Sequence, residues 1–290
     1  MSHGIAATGY RLPDAAHIGR VRLQVTDLDR SARFYQEIIG LTVLNTTQST
    51  VTLGAGETPL VELYGGARAA RRARRLGLYH FAILLPDRAA LGRSLTHLLD
   101  NGIQPGAADH LVSEALYLQD PDDLGIEIYR DRPREEWTTR GDELVMTTEP
   151  LDSNGVLHAA EGRWSGLPAG TTIGHVHLHV GDLQEAKAFY HAALGLDLVV
   201  WSYPGALFMS AGGYHHHLGL NTWAGSRAQG APADEPKLLD WELVVPTSSD
   251  VAAAVAALSG GGFAVSGEEV GGSVATDPWG TSLKLVAATT

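Results

Sequence analysis

An internal duplication is the feature of this 290-residue chain that most limits what it can fold into. The segment IGRVRLQVTDLDRSARFYQEIIGL, which begins at Ile18, returns as IGHVHLHVGDLQEAKAFYHAALGL from Ile173. The two copies align without a gap at an offset of 155 residues, which brings Asp182 into line with Asp27. Repetition of this length indicates that the chain is built from copies of one supersecondary unit.

Each copy reads as a strand, a helix and further strands. An alternating polar and apolar run, typical of a half-buried strand, precedes Asp27 or Asp182, whose carboxylate is placed to cap the next helix. That helix ends at Gly40 or Gly195. A related unit follows each copy, so we predict an α+β chain of four βαβββ modules. The modules begin near Ile18, Leu78, Ile173 and Leu239.

The modules divide the chain into four segments. We expect an N-terminal arm over residues 1–16 and a first domain of two modules over 17–133. A linker or wrapping segment follows over 134–170, where the sequence is polar and proline-containing. The second domain, also of two modules, covers 171–290.

Composition restricts the chemistry and the partners. The chain has no cysteine, so any metal must take His, Asp or Glu. A formal charge of −12 argues against nucleic acid as a partner, and no apolar run is long enough to span a membrane. The N-terminus lacks the pattern of a signal peptide, so we expect a cytoplasmic protein. We interpret the basic run 68–75 as a solvated linker, with an anion or partner contact as the alternative.

The repeated motif resembles that of a known superfamily. Paired βαβββ units with DL-x-x-(S/A)-x-x-FY-x-x-x-(L/I)-G-(L/F) after the first strand look like the vicinal-oxygen-chelate proteins, the glyoxalase / bleomycin-resistance / extradiol-dioxygenase superfamily. The stretches DHLVSEALYLQDP, IEIYRDRPREEW and SAGGYHHHLGLNTW resemble, more specifically, two-domain catechol 2,3-dioxygenase-like proteins. The resemblance covers nearly the whole chain and implies two tandem vicinal-oxygen-chelate domains.

In this superfamily the metal ligands come from the first and last strands of two paired modules. Spacing from the capping residue and from the Asp-Pro turn transfers these positions to this chain. The first-strand positions are Arg20, His80, His175 and either Asp240 or Trp241. The last-strand positions are Glu62, Glu127, His217 and Lys284.

Sorting these positions by chemistry predicts which modules pair. Modules two and three supply His80, Glu127, His175 and His217, a complete set of ligands for one divalent metal. Modules one and four carry two cations, so we expect Arg20, Glu62 and Lys284 to form ion pairs in a metal-free sheet. We therefore predict that modules two and three face one another, although the familiar arrangement pairs one with two and three with four. His215 is the alternative to His217, whereas His177 and His179 are expected to be core or supporting residues.

The resemblance implies a ring-cleaving dioxygenase that acts on a catechol-type aromatic with O₂. Iron(II) held by two histidines and a carboxylate keeps three positions open, as such chemistry requires; Mn, Ni, Zn or Co are alternatives. Candidates for proton transfer are Tyr129, His110 and His215. Candidates for substrate contact are Tyr79, Tyr214, Asn221 and Trp223.

Two other functions remain open from the sequence. A fourth ligand, His217, would leave two open positions and favour glyoxalase- or epimerase-like isomerase or lyase chemistry. A site without metal would suit a protein that sequesters a small molecule or drug. Exposed sheet edges also make a homodimer an open alternative to a monomer.

Overall fold

The computed structural model describes residues 3–267 and 272–288. Module one contains β1 (His17–Val25), α1 (Leu28–Phe34), β2 (Thr42–Thr46), β3 (Thr50–Ala55) and β4 (Thr58–Gly65). Module two contains β5 (Arg75–Leu85), α2 (Arg88–Asp100), β6 (Gly106–Asp109), β7 (Ser113–Gln119) and β8 (Gly125–Asp131). The connecting segment contains β9 (Thr139–Arg140), β10 (Glu143–Leu144) and α3 (Ser153–His158). Module three contains β11 (Thr172–His179), α4 (Leu183–Ala186), β12 (Asp197–Val200), β13 (Ala206–Ser210) and β14 (Leu218–Asn221). Module four, after the short β15 (Gln229–Gly230), contains β16 (Lys237–Val245), α5 (Ser248–Gly260), β17 (Val265–Gly267), β18 (Ser273–Thr276) and β19 (Ser282–Ala287).

The duplicated helices begin and end as their sequences predict. The Asp27 carboxylate accepts a hydrogen bond from the backbone N–H of Arg30, and Asp182 caps α4 in the same way. Each helix continues into a π-helical segment and stops at a glycine with positive φ, Gly40 or Gly195. Among the described residues, no helix is long and apolar enough to cross a membrane.

Two large sheets form the body of the molecule, and each takes one module from either side of the connecting segment. The first sheet has the order β17-β18-β19-β16-β1-β4-β3-β2, so it joins module four to module one. The second has the order β12-β13-β14-β11-β5-β8-β7-β6, so it joins module three to module two, and β15 pairs with β5 beside it. The predicted α+β fold of four βαβββ modules is confirmed, and modules two and three pair as the sorting of ligand types predicts.

The sheet of modules one and four holds an ion-pair network at the positions that correspond to metal ligands. Arg20 donates to Glu62 over 2.7 Å and to Glu242 over 3.0 Å. Asp240 accepts a hydrogen bond from Arg22 Nε over 2.8 Å, and Trp241 is fully buried in the core. A guanidinium thus occupies the place where a metal would need a neutral or anionic donor.

A buried tyrosine–aspartate contact ties the two modules within each half of the sequence. Tyr35 in module one donates to Asp120 in module two over 3.2 Å, and Tyr190 in module three donates to Asp277 in module four over 2.9 Å. Burial raises the pKa of Asp120 to about 6, although its backbone hydrogen bonds oppose the shift. Burial of the Asp120 carboxyl in its ionised form therefore lowers the unfolding free energy.

The connecting segment folds over the sheet of modules two and three. Leu144 is buried against Val112, Val199 and Phe208. The Glu143 carboxylate accepts hydrogen bonds from the backbone N–H groups of Trp201 and Ser202, each over 2.6 Å. These contacts fix the strand that covers one side of the sheet.

The raised pKa of Asp120 predicts a pH-dependent difference in stability from the variant Asp120→Asn. The folded carboxyl binds its proton more tightly than the unfolded one, so its stabilising contribution is present below its unfolded pKa and is lost as the pH rises through about 6. Relative to Asp120→Asn, the wild type should lose on the order of 1–3 kcal/mol of unfolding free energy between pH ~4 and ~7. Urea unfolding over this pH range measures the difference. The exposed substitution Asp29→Asn is the control. A difference in unfolding free energy between the wild type and Asp120→Asn that stays constant at every pH would contradict the raised pKa of Asp120.

Candidate metal centre

The pairing of β11, β5, β8 and β7 places four side chains in one row across the sheet. His175 lies opposite Ala82, Ala82 lies beside Glu127, and Glu127 lies opposite Tyr117. Residues opposite one another in a sheet share a face, and so do residues two apart on one strand, so His80 projects from the same face as Ala82. The small methyl group of Ala82 leaves space between the larger side chains of the row.

Three donor atoms meet above Ala82. His80 Nε2 lies 3.0 Å from Glu127 Oε2, and His175 Nε2 lies 3.1 Å from the same oxygen. Together His80, Glu127 and His175 form a group whose ligand atoms all lie within 4.8 Å of one another, the only such group of three or more among the described residues. All three side chains are buried.

The electrostatics of the group favour a neutral His175 imidazole beside an ionised Glu127 carboxylate. Burial lowers the pKa of His175 to about 4, against the opposing effect of Glu127. Burial alone would raise the pKa of Glu127, but the nearby His175 and His80 outweigh it and hold that pKa well below its usual range. A metal requires deprotonated ligands, and His175 and Glu127 meet this requirement at neutral pH.

These residues fit a divalent metal. His80 Nε2 is buried and has no hydrogen-bond partner among the described residues, although it points toward the carboxylate. Two imidazole nitrogens and one carboxylate oxygen are the donors that iron(II) and other divalent first-row metals accept. A bound cation would satisfy the unpartnered nitrogen and the buried carboxylate together.

A cavity of about 290 Å³ opens above the three donors. Modules two and three supply most of its wall, and Met146, Thr147 and Thr148 of the connecting segment close one side. Aromatic rings line it, among them Tyr79, Tyr117, Tyr203, Phe208 and Trp223. The size and lining suit a single aromatic ring.

His217 lies outside the group of donors. Its Nδ1 accepts a hydrogen bond from the backbone N–H of Ala211 over 3.2 Å, and its ring packs on Tyr214. The prediction that it faces inward treats 214–217 as strand, whereas β14 begins only at Leu218 and the preceding residues form turns. Without the strand alternation, His216 rather than His217 or His215 lines the cavity.

His216 belongs to a buried chain of hydrogen-bonding groups. His215 Nε2 lies 2.8 Å from the Asp131 carboxylate, and a His215 ring with one proton would donate it there and leave its Nδ1 as an acceptor. His216 Nδ1 lies 2.7 Å from that nitrogen and must then be the donor. With that arrangement, His216 Nε2 is the unprotonated nitrogen of a neutral ring, and burial keeps the pKa of His216 well below its usual range. The centres of the His216 and His175 rings lie 4.1 Å apart.

A second pair lies on the opposite side of the cavity. His110 Nδ1 lies 2.6 Å from the Thr147 carbonyl oxygen, so this nitrogen donates. His110 Nε2 is then the acceptor for the Tyr117 hydroxyl at 2.6 Å. Both ring nitrogens of His110 are engaged, and burial together with the Glu127 charge raises the pKa of Tyr117 well above its usual value.

The other candidate residues divide between the mouth of the cavity and the layer behind it. Tyr79 and Trp223 line the mouth, with exposed fractions of 40% and 45%. Tyr129 and Tyr214 lie behind His175, joined by a hydrogen bond of 2.7 Å between their hydroxyls. Asn221 also lies behind the wall and does not line the cavity.

Asn221 explains why His177 and His179 do not join the donors. Its amide nitrogen donates to His177 Nε2 over 2.9 Å, and its oxygen accepts from His179 Nδ1 over 2.6 Å. Gly219, opposite His177, allows that ring to lie flat on the sheet, since a Cβ there would come within 2.8 Å of it. His177 lines the cavity and His179 does not, and neither belongs to the group of three donors.

Sequence reasoning missed several residues of the cavity: His216, Tyr117, Tyr203, Phe208 and Met146–Thr148. Tyr117 could have been found, because it pairs with Glu127 across a hairpin whose turn is visible as the Asp-Pro motif. The connecting-segment residues carry no periodic signal, so only the fold brings them to the site.

Comparisons with known proteins agree on the family. The sequence model of the Glyoxalase/Bleomycin resistance protein/Dioxygenase superfamily matches residues 17–128 and 172–285. A catechol-2,3-dioxygenase of Bacillus subtilis (strain 168) is 48% identical over 242 residues, which cover 81% of this chain and 85% of the relative. A candidate dioxygenase structure from Bacillus subtilis subsp. subtilis str. 168 superposes with a TM-score of 0.64 at 12% identity, over 97% of this chain and 87% of that one. A glyoxalase I variant from Zea mays gives 0.58 at 18% identity, over 94% and 92%. At such identities the structural likeness shows the fold alone.

The geometry predicts different effects for two histidine substitutions. His175→Gln should abolish stoichiometric binding of a divalent metal, because it removes one of three donors. His217→Gln should retain metal, because this ring lies outside the group. Metal content after reconstitution and desalting, measured by inductively coupled plasma mass spectrometry, compares the two. Loss of metal from His217→Gln at unchanged thermal stability would mean that a fourth ligand exists.

Proposed function

Since the chain belongs to the Glyoxalase/Bleomycin resistance protein/Dioxygenase superfamily, we propose that it is a metal-dependent extradiol dioxygenase that cleaves a catechol-type aromatic ring. His80, His175 and Glu127 would hold the metal, with iron(II) favoured over manganese, nickel, zinc or cobalt. The observation that carries the proposal is the convergence of three buried donors, not four, at the floor of an aromatic-lined cavity.

The number of donors separates dioxygenase from isomerase chemistry. When bound, the metal would supply three open coordination positions, enough for two catechol oxygens and O₂. A fourth protein donor would leave two positions, which suits proton transfer on a chelated enediolate. His217, the candidate for that fourth donor, accepts a hydrogen bond from the backbone N–H of Ala211 and packs on the ring of Tyr214.

The protein residues around the donors supply the proton chemistry. A catechol must lose its hydroxyl protons as it is bound and cleaved, and His216 Nε2 offers an unprotonated nitrogen at the cavity wall. His215 and Asp131 would hold His216 in this tautomer and would stabilise the ring after it takes a proton. His110 and Tyr117 line the cavity as a hydrogen-bonded pair, and they would orient the catechol ring rather than take up its proton.

The name of the similar Bacillus subtilis protein, catechol-2,3-dioxygenase, supports the same reaction class. The wall residues Tyr79, Tyr203, Phe208 and Trp223 would exclude water and stack against an aromatic ring. We infer that the substrate is a small catechol and that O₂ is the co-substrate.

The proposal is tested by loading the protein with iron(II) without oxygen and then adding catechols and O₂. We expect O₂ uptake equal to the catechol consumed, with the yellow absorbance of a ring-opened product. The zinc-loaded protein is the matched control and should take up no O₂, because zinc has no redox chemistry. Stoichiometric iron without O₂ uptake on any catechol of the panel would contradict the proposal and favour an isomerase or lyase.

The proton role of His216 predicts a specific loss of turnover. His216→Asn should lower kcat by about 10²-fold or more while metal content stays at the wild-type level. Asp131→Asn should cause a comparable loss, because the amide can donate to His215 and reverse the tautomers along the chain, which places a hydrogen on His216 Nε2. Steady-state O₂ uptake at saturating catechol measures both, with the exposed substitution His158→Asn as control. Wild-type kcat in His216→Asn would remove His216 from the mechanism.

A further inference from the structure

The basic segment singled out in the sequence lines a second, larger cavity outside the metal site. This outer cavity has a volume of about 720 Å³, and its charged lining residues are Arg71, Arg72, Arg74, Arg75 and Asp123. It shares the side chains of Tyr79, His80, Tyr117 and Trp223 with the inner cavity. The two cavities therefore adjoin at His80, and the arginines line the outer one.

The outer cavity is locally cationic in a chain whose formal charge is −12. Arg75 is neutralised by Glu235 through hydrogen bonds of 2.8 and 2.6 Å. Arg72 lies 3.8 Å from the same carboxylate and its side chain is 81% exposed, so its charge remains largely available to a ligand. Arg71 and Arg74 form no ion pair with any carboxylate among the described residues. The cations thus exceed the single lining carboxylate, Asp123.

Arg71 is held in place by the backbone rather than by a counter-charge. Its Nη2 donates to the carbonyl oxygen of Leu78 over 2.7 Å, and its Nη1 lies 3.5 Å from that of Pro236. Leu78 precedes His80 by two residues on β5, and Arg71 and His80 both line the outer cavity. Asp120, Asp123 and Glu235 act on this partly buried guanidinium from beyond ion-pair distance, and an anion bound beside it would compensate it directly.

We propose that the outer cavity binds the carboxylate of a side chain carried by the catechol substrate, so that the preferred substrate is an anionic, carboxylate-bearing catechol. This inference rests on the proposed function and deepens it. With the ring hydroxyls at the three donors, a carboxylate on a short alkyl chain reaches the Arg71 guanidinium in the outer cavity. Arg72 and Arg74 add long-range attraction for the anion as it approaches.

The test compares two catechols that differ in charge alone, 3-(3,4-dihydroxyphenyl)propanoate and its primary amide, on the iron-loaded enzyme. We expect kcat/KM to favour the acid by about tenfold or more, because guanidinium–carboxylate hydrogen bonds are stronger than neutral ones. Arg71→Gln should reduce this ratio severalfold, mainly through a higher KM for the acid. The double substitution Arg72→Gln/Arg74→Gln, at exposed positions that do not threaten folding, should also reduce it. Arg33→Gln, an exposed arginine of α1 far from the cavity, should leave the ratio at the wild-type value.

A binding measurement keeps the inference separate from the dioxygenase proposal. Calorimetry on the metal-free protein compares 3-phenylpropanoate with 3-phenylpropanamide, neither of which can chelate a metal. Preference for the acid that is lost in Arg71→Gln supports the outer site even if no catechol is cleaved. Cleavage of both catechols with equal kcat/KM overturns the inference and leaves the dioxygenase intact. Equal stimulation of amide cleavage by added acetate would mean that the cavity takes a free carboxylate, which also overturns it.

Discussion

The antiparallel pairing of β5 with β11 is the contact on which the site depends. It joins module two to module three across the connecting segment, and its register sets His175 opposite Ala82. The parallel pairing of β5 with β8 then adds Glu127 to the same row. A shift of one residue in either pairing would turn these side chains to the other face of the sheet. The position of the candidate metal centre is therefore a consequence of strand register.

Burial gives this row its chemical character. Two imidazoles and a carboxylate removed from water are costly to leave uncompensated, and both imidazoles face the same Glu127 oxygen. A metal ion is the natural compensation, and the same burial keeps the His175 imidazole neutral and able to bind it. In the sheet of modules one and four, Arg20 lies between two glutamates and neutralises their charge. The duplicated fold therefore carries one candidate metal centre among the described residues.

The sequence predicts much of this architecture because it shows both the internal duplication and the residue types at the metal-ligand positions. The 155-residue offset defines the modules, and the contrast between His80 or His175 and Arg20 identifies which modules pair. The choice of His217 among the three consecutive histidines at 215–217 relies on strand alternation, which fails because these residues form a turn. Contacts between distant segments, such as Asp131 with His215, depend on the tertiary fold and leave no local pattern.

Anomalous diffraction at the iron edge, from crystals grown anaerobically with iron(II), tests the central claim most directly. The account predicts one peak per chain, within about 2.0–2.3 Å of His80 Nε2, His175 Nε2 and a Glu127 oxygen. It also predicts no peak in the sheet of modules one and four, where Arg20 occupies the corresponding place. A peak coordinated by His217, or none between β5 and β11, would contradict the cross-module metal centre.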